Sequence, residues 1–256
     1  MQFLDPQWVA RVTSTNTALL GRIDAGAPVA DGYVLATTEQ TAGRGRGSRT
    51  WHAAAGRDLC CSFLLRTQAP TRQLASVAMA TALGLVDCLQ ELGIDARTKW
   101  PNDVVVCPDG EAGGAKIAGI LCELRPGVVV VGFGLNVSMS ATEAQQIDQP
   151  ATSILIQTGT VLAPQDILPR LLAALAPRLN TWEREGFSGL RSDWTRQCLA
   201  LGQDIVIDDG DTRQQGILEG FGDAGQLLMR KAGTAPESPP VEIWSGHLRQ
   251  TTPSDS

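Results

Sequence analysis

The alternation of apolar and polar positions divides the chain into helical and extended stretches. Ser14 opens STNTALLGRIDAG, where a Ser/Thr cap precedes apolar residues at helical spacing and Gly26 closes the pattern, predicting a helix over about 16–25. YVLATT at 33–38 and DLCCSFLL at 58–65 read as strands, with a long glycine-rich loop between them. RQLASVAMATALGLVDCLQEL at 72–92 has an Ala/Leu/Val face at 3.6 spacing ended by Gly93, the strongest helical signal in the chain. Short apolar runs at 103–107, 117–124 and 127–133, bounded by PDGEAGG and RPG, predict antiparallel hairpins. Helical patterns return at 164–185 and 188–199, with Trp182, Phe187, Leu190 and Trp194 as packing residues. After residue 200 the short runs IVI, GILEGF, QLLMR and VEIW, separated by DDGD, DAG and AGTAPESPP, have the spacing of a small β-barrel of about 50 residues. The expected class is therefore α+β. A mixed β-sheet backed by helices occupies 1–199, a barrel occupies 200–251, and TTPSDS at 252–256 (with Thr251) reads as a disordered tail.

Composition narrows the chemistry. With 256 residues, 43% hydrophobic and 19% charged, the chain is long enough for a sizeable core and balanced like a soluble globular protein. No uninterrupted apolar run approaches the ~20 residues that span a bilayer, and the opening MQFLDPQWVARV has no basic start before an apolar core. A cytoplasmic protein with no membrane contact is expected. The six cysteines form no CxxC pair or Cys/His metal cluster and read as reduced core residues. Two histidines and no serine elbow leave little from which to build a Ser/His/Asp hydrolase. The net charge of −6 should repel phosphate backbones, so any basic stretch is a local feature.

Such a stretch is TAGRGRGSRTW at 41–51. Glycines 43, 45 and 47 permit positive φ and close backbone approach, while Arg44, Arg46 and Arg49 present forked donors suited to carboxylate or phosphate. Alone it reads first as a loop closing on an anion, the alternatives being a solvated loop or a short Arg/Gly nucleic-acid segment. Trp51 at its end is either a base-stacking platform or core packing. In KWPNDVVV, Pro101 holds Trp100 extended and Asn102–Asp103 turn into a strand, so Lys99 and Asp103 can face one cleft. Asp103 is a candidate magnesium ligand, a surface turn being the alternative. In KIAGILCEL, Lys116 starts a strand whose Ala118 and Gly119 leave room for something against the backbone. VVGFGLNV, with two glycines and Asn136, is either a site strand or a tightly packed strand end. Taken in order, the four stretches describe a nucleotide site, although neither GxxxxGK[ST] nor a Rossmann GxGxxG is present.

STN at 14–16, EQTAGRGRGSRTW at 39–51, KWPNDV at 99–104, KIAGIL at 116–121 and GFGLN at 132–136 together resemble, in order and spacing, the biotin protein ligases. The resemblance covers about 10–195 and the C-terminal barrel. It implies a seven-stranded mixed sheet backed by helices, followed by an SH3-like barrel. It also implies a two-step reaction, in which biotin attacks MgATP to give biotinyl-5′-AMP and pyrophosphate, and a lysine of a biotin carboxyl carrier protein then takes the biotinyl group. ATP, biotin and Mg2+ would be substrates and metal, with no permanently bound cofactor. By matching position, Lys116, Arg46 and Lys99 would be catalytic. Ser14, Thr15, Asn16, Gln40, Gly43, Arg44, Gly45, Arg46, Lys116 and Gly119 would bind biotin, its cyclic urea demanding neutral polar partners. Arg44, Arg46, Arg49, Trp51, Asn102, Asp103, Lys116 and Asn136 would bind ATP, with Asp103 toward the metal. The loop would close over the intermediate and keep water from it.

This sequence departs from the family pattern at three places. The family loop often reads GRGRRGRxW, whereas Gly47 and Ser48 stand here for Arg and Gly, so one loop cation is missing. The usual GE pair of the closing strand reads Gly246–His247. Thirteen residues precede STN, too few for the winged helix with which some relatives repress transcription, so a monofunctional ligase without operator binding is expected. Uncapped strands and the family's habit admit a homodimer. The competing readings are a lipoate ligase or transferase of the same superfamily and a nucleotide-binding regulator without catalysis.

Overall fold

The computed structural model describes residues 1–250 apart from 48, 108–113, 211 and 236. The tail expected at 252–256, and Ser48 within the loop, lie outside the described residues. In chain order the first part comprises β1 (Gln7–Trp8), α1 (Thr15–Asp24), β2 (Val34–Thr37), β3 (Leu59–Arg66), α2 (Thr71–Leu74), α3 (Val77–Glu91), β4 (Ala96–Lys99), β5 (Asp103–Val106), β6 (Ala115–Arg125) and β7 (Val128–Leu135). It continues with α4 (Ala141–Ala144), α5 (Ile154–Thr158), α6 (Pro164–Glu185), a 3-10 turn at Phe187–Gly189, and α7 (Arg191–Gln197). Strands β8 (Asp204–Asp208), β9 (Arg213–Phe221), β10 (Leu227–Lys231), β11 (Val241–Ile243) and β12 (His247–Gln250) complete the chain.

The first seven strands form one mixed sheet in the order β1-β2-β3-β7-β6-β5-β4. Among the described strand pairs of this sheet only β1–β2 is parallel; the hairpins expected from PDGEAGG and RPG are present as antiparallel β5–β6 and β6–β7. The last five strands form an antiparallel sheet in the order β11-β10-β9-β8-β12, consistent with the SH3-like barrel. The fold class thus stands, with β1, β4 and β12 not among the strands read from the apolar pattern. Strand β1 has two residues and no alternation to read, and β4 (ARTK) carries two cations in four positions.

Period-two alternation explains how the large sheet is covered. Leu59, Cys61, Phe63 and Leu65 of β3, with Val129, Val131, Phe133 and Leu135 of β7, enter the main core beneath α3 and α6. On the opposite face, Leu64, Val128 and Val130 pack with Leu19 and Leu20 of α1. Helix α1 starts as its sequence dictates, with the Ser14 hydroxyl accepting from the Thr17 N–H, and Gly26 at φ +73° lies just beyond its end.

The helix expected over 72–92 is broken at Ala75–Ser76. There the Ser76 hydroxyl donates to the Gln73 carbonyl and accepts from the indole N–H of Trp182, a buried donor that needs a partner. The stretch Thr71–Glu91 is long and apolar enough to cross a membrane by length and composition, yet 72% of its most apolar window is buried within the protein. It is a core helix. Cys60, Cys61 and Cys88 are buried in the core, where the sequence pattern placed them.

The two sheets share one hydrophobic core. Ile205, Ile207, Leu218, Phe221 and Leu227 belong to the same buried cluster as α3 and α6. The Trp100 indole donates to the Gly225 carbonyl at 3.1 Å, and Trp194 meets Phe221 edge-on at 6.0 Å.

Helices α3 and α6 approach closely at Gly84, where an added Cβ would lie 2.8 Å from Leu175 Cα. Alanine is the better helix former by at most ~1 kcal/mol, whereas overpacking against backbone costs about 1–3 kcal/mol. Gly84→Ala is therefore expected to lower stability, read as a reduced urea midpoint at unchanged slope.

Candidate active site

The floor of the site arises from the same alternation. Along the α1-facing side of β7, Val128 and Val130 give way to Gly132 and Gly134, while β6 presents Gly119, Leu121 and Glu123 on that face. Gly119 pairs with Gly134, and Leu121 with Gly132, leaving a strip of bare backbone. Two side chains occupy the space. A Cβ at Gly134 would come within 2.1 Å of the Trp51 indole, and one at Gly132 within 2.1 Å of Asn16 Oδ1. What presses against these glycines is thus the aromatic ring of the Gly/Arg loop and the amide that opens α1.

Above this floor lies a cleft, partly open to solvent, lined by side chains from the start of α1, the Gly/Arg loop and strands β4–β7. One end is neutral. The Asn16 amide donates to the Leu121 carbonyl (3.1 Å) and Glu123 Oε2 (3.0 Å), and its oxygen accepts from Ser62 Oγ at 2.6 Å. Gln40 Oε1 accepts from the Thr15 N–H and hydroxyl, at 2.7 and 3.1 Å. Ser14, already the helix cap, completes the row along the wall. Every amide orientation here is fixed by a buried partner, so the groups are preorganised.

The other end is cationic. Lys116 Nζ pairs with Asp103 Oδ1 at 2.7 Å and sits 5.6 Å from the centre of the Trp51 ring. Lys99 lies opposite Asp103 in the β4–β5 register. Burial holds the Lys99 ammonium below its ordinary pKa, with Asp103 opposing that shift and Lys116 adding to it. Arg46 Nη1 donates to Asn102 Oδ1 at 3.3 Å, and the Asn102 amide in turn donates to the Ile120 carbonyl at 2.6 Å. Burial, then neighbouring Arg49, lowers the Arg46 pKa from its ordinary value. Arg44, nearer the neutral end, pairs with Glu123 at 2.9 Å.

The Gly/Arg loop is a small hairpin over the cleft. Gly45 N–H donates to the Arg49 carbonyl (2.8 Å) and Trp51 N–H to the Gly43 carbonyl (3.0 Å), with Gly47 at φ +64° near its tip. A residue at 47 without a Cβ suits that left-handed turn. Arg44, Gly45, Arg46, Arg49 and Trp51 all line the cleft.

Most residues singled out in the sequence therefore converge, the lysines, Asn102, Asp103 and Gly119 included. Two stand behind the wall. A Cβ on Gly43 would meet the Trp51 carbonyl at 2.4 Å, so Gly43 shapes the base of the loop. Asn136 is buried and donates to the carbonyls of Lys116 (3.3 Å) and Thr152 (2.9 Å), fixing the start of β6 and hence where Lys116 begins.

Sequence reasoning missed Ser62, Glu123, Asp58 and the side chain of His247 as parts of the site. Glu123 was detectable by period two from Gly119 and Leu121. Asp58 is wholly buried, and its carboxylate accepts from the N–H groups of Ala54, Val137, Ser138 and Met139, tying the segment after Trp51 to the end of β7. Burial raises its pKa although all four N–H groups oppose this.

A floor of paired glycines, a neutral amide row and a cationic end thus lie together under an Arg-rich hairpin. The chain belongs to the Biotin/lipoate A/B protein ligase family, whose model matches residues 8–140. It is 34% identical over 250 residues to a biotin acetyl-CoA-carboxylase ligase of Paracoccus denitrificans, covering 93% of this chain and 99% of the relative. A ligase of the same description from Mycobacterium tuberculosis is also 34% identical, over 231 residues, covering 88% and 83%. Among solved structures, the biotin protein ligase of Aquifex aeolicus in complex with biotin and ATP superposes with a TM-score of 0.78 at 27% identity, covering 97% and 100%.

Gly134→Ala is expected to destabilise the protein by about 1–3 kcal/mol by displacing the indole, and in a Trp51→Ala background most of that loss should vanish. Urea unfolding of the two single variants and the double variant gives the coupling energy directly.

Proposed function

We propose that the chain activates biotin with ATP to biotinyl-5′-AMP and transfers the biotinyl group to a lysine of a biotin carboxyl carrier protein. The observation that carries this reading is the continuity of one cleft, neutral at one end and cationic at the other. A cyclic urea has both donors and acceptors and no charge, which suits the row of Ser14, Thr15, Asn16 and Gln40. A carboxylate approaching an α-phosphate brings anion toward anion. Fixed cations that are already desolvated offset that repulsion without reorganising as charge develops.

The roles follow from position. Lys116, central and held by Asn136 through its backbone, lies between the carboxylate and the phosphate. Arg44 and Arg46 flank it, Lys99 and Arg49 face the phosphates, and Trp51 and Asn102 bound the nucleoside side. Pyrophosphate leaves with the electron pair of the broken phosphoanhydride bond. In the second step the carrier amine attacks the acyl carbon and AMP departs. The hairpin over the cleft excludes water from the anhydride between the steps.

Magnesium would enter with the nucleotide. Among the described residues no group of three His, Cys, Asp or Glu side chains is placed to hold a metal. One carboxylate, Asp103, faces the cleft, which fits the mode in which Mg2+ is held by one or two carboxylates and substrate phosphates. The metal would supply charge neutralisation at those phosphates. The cell compartment is taken to be the cytoplasm, where ATP and carrier proteins meet.

Incubation of the pure chain with ATP, labelled biotin and an apo carrier domain should label the carrier. Absence of label would refute the reading, and label from lipoate in place of biotin would favour a lipoate ligase. Lys116→Ala should reduce biotin-dependent exchange of pyrophosphate into ATP by about 10²–10³-fold, the scale for losing one preorganised donor. An unchanged exchange rate would remove Lys116 from its role.

A further inference from the structure

The Gly/Arg hairpin is held from above as well as below. Its contacts upward go to the C-terminal sheet, across nearly 200 residues of sequence. Arg46 Nη1 lies 3.4 Å from the Gly246 carbonyl, and Arg49 Nη1 lies 3.4 Å from His247 Nδ1. His247 itself lines the cleft. Both acceptors are fixed in place. Gly246 has φ +139°, and a Cβ there would come 2.5 Å from Ile207 Cγ2, so the backbone that aims its carbonyl at Arg46 requires glycine. His247 begins β12 and is registered against Asp208 of β8. The sheet carrying them is tied to the catalytic sheet through Trp100 and Gly225.

We propose that His247 is a positioning residue, a latch by which the C-terminal sheet holds the Arg-rich hairpin closed over the cleft. Arginine is donor-only, so the contact requires an uncharged ring with its proton on Nε2 and a lone pair on Nδ1. The surroundings enforce that state. Burial pushes the His247 pKa down to about 4, Arg49, Lys99 and Arg249 push the same way, and Asp103 opposes them. The histidine at this position thus serves as a neutral acceptor among cations, and its loss frees the hairpin without touching the floor. The latch is a property of the apo fold. Its consequence for retaining an acyl-adenylate rests on the function proposed above.

The test compares the full-length wild type with His247→Phe, which keeps a ring but removes the acceptor. It adds His247→Asn, whose Oδ1 stands as many bonds from Cβ as Nδ1 does. Hydrogen exchange is measured without substrates at the bonded amides of Gly45 and Trp51. The Phe variant should exchange about tenfold faster, as expected on losing one hydrogen bond to a charged donor, and the Asn variant should stay within about twofold of wild type. If the Phe variant does not fold, Arg49→Met removes the donor instead and should give the same rise. Unchanged exchange, or an equal rise in Phe and Asn variants, overturns the latch. With biotin and ATP added, the Phe variant should release more adenylate per carrier labelled than the wild type. Faster amide exchange with no biotin chemistry in any variant would instead uphold the latch and refute the ligase reading.

Discussion

The site depends on the absence of side chains at three positions. Gly119, Gly132 and Gly134 lie on one face of adjacent strands, and with any Cβ there the Trp51 indole and the Asn16 amide would have nowhere to go. Strand β7 is buried along its whole length, so this bareness is not a surface accident. It converts a packed sheet into a shelf. The side chains resting on the shelf belong to two distant segments, the start of α1 and the Gly/Arg loop. The shelf therefore sets the distance between the neutral end and the cationic end.

Charge within the cleft is partly compensated. Lys116 is paired with Asp103, and both are mostly buried, with side chains 17% and 14% exposed. Arg44 is paired with Glu123, which also orients Asn16. Leaving Lys116 and Arg44 without these acids in a partly dry cleft would be unfavourable.

Much of this was legible in the sequence. The Ser14 cap, the helical face after it and the antiparallel hairpins follow from local rules, and the clustered glycines and arginines pointed to the cleft. What was hidden lies in long-range pairing. Ser76 breaks a helix because Trp182, more than a hundred residues away, needs an acceptor. Asp58 looks like a turn residue until the amides of 137–139 are placed beside it. The pair Gly246–His247 registered only as a departure from a pattern, since nothing local connects it to Arg46 and Arg49. Asn136 was read as a ligand contact, and nothing local revealed that its amide nitrogen also holds the backbone carbonyls of Lys116 and Thr152.

The core that runs unbroken from α3 and α6 into the C-terminal strands has a consequence for how the molecule comes apart. Trp194 and Phe221 bury one another across what would otherwise be a domain boundary. Neither half can melt without exposing aromatic surface of the other. Heating should therefore give a single calorimetric peak whose van't Hoff and measured enthalpies agree. Severing the chain near residue 200 would then leave two insoluble fragments in place of a working enzyme and a dispensable appendage.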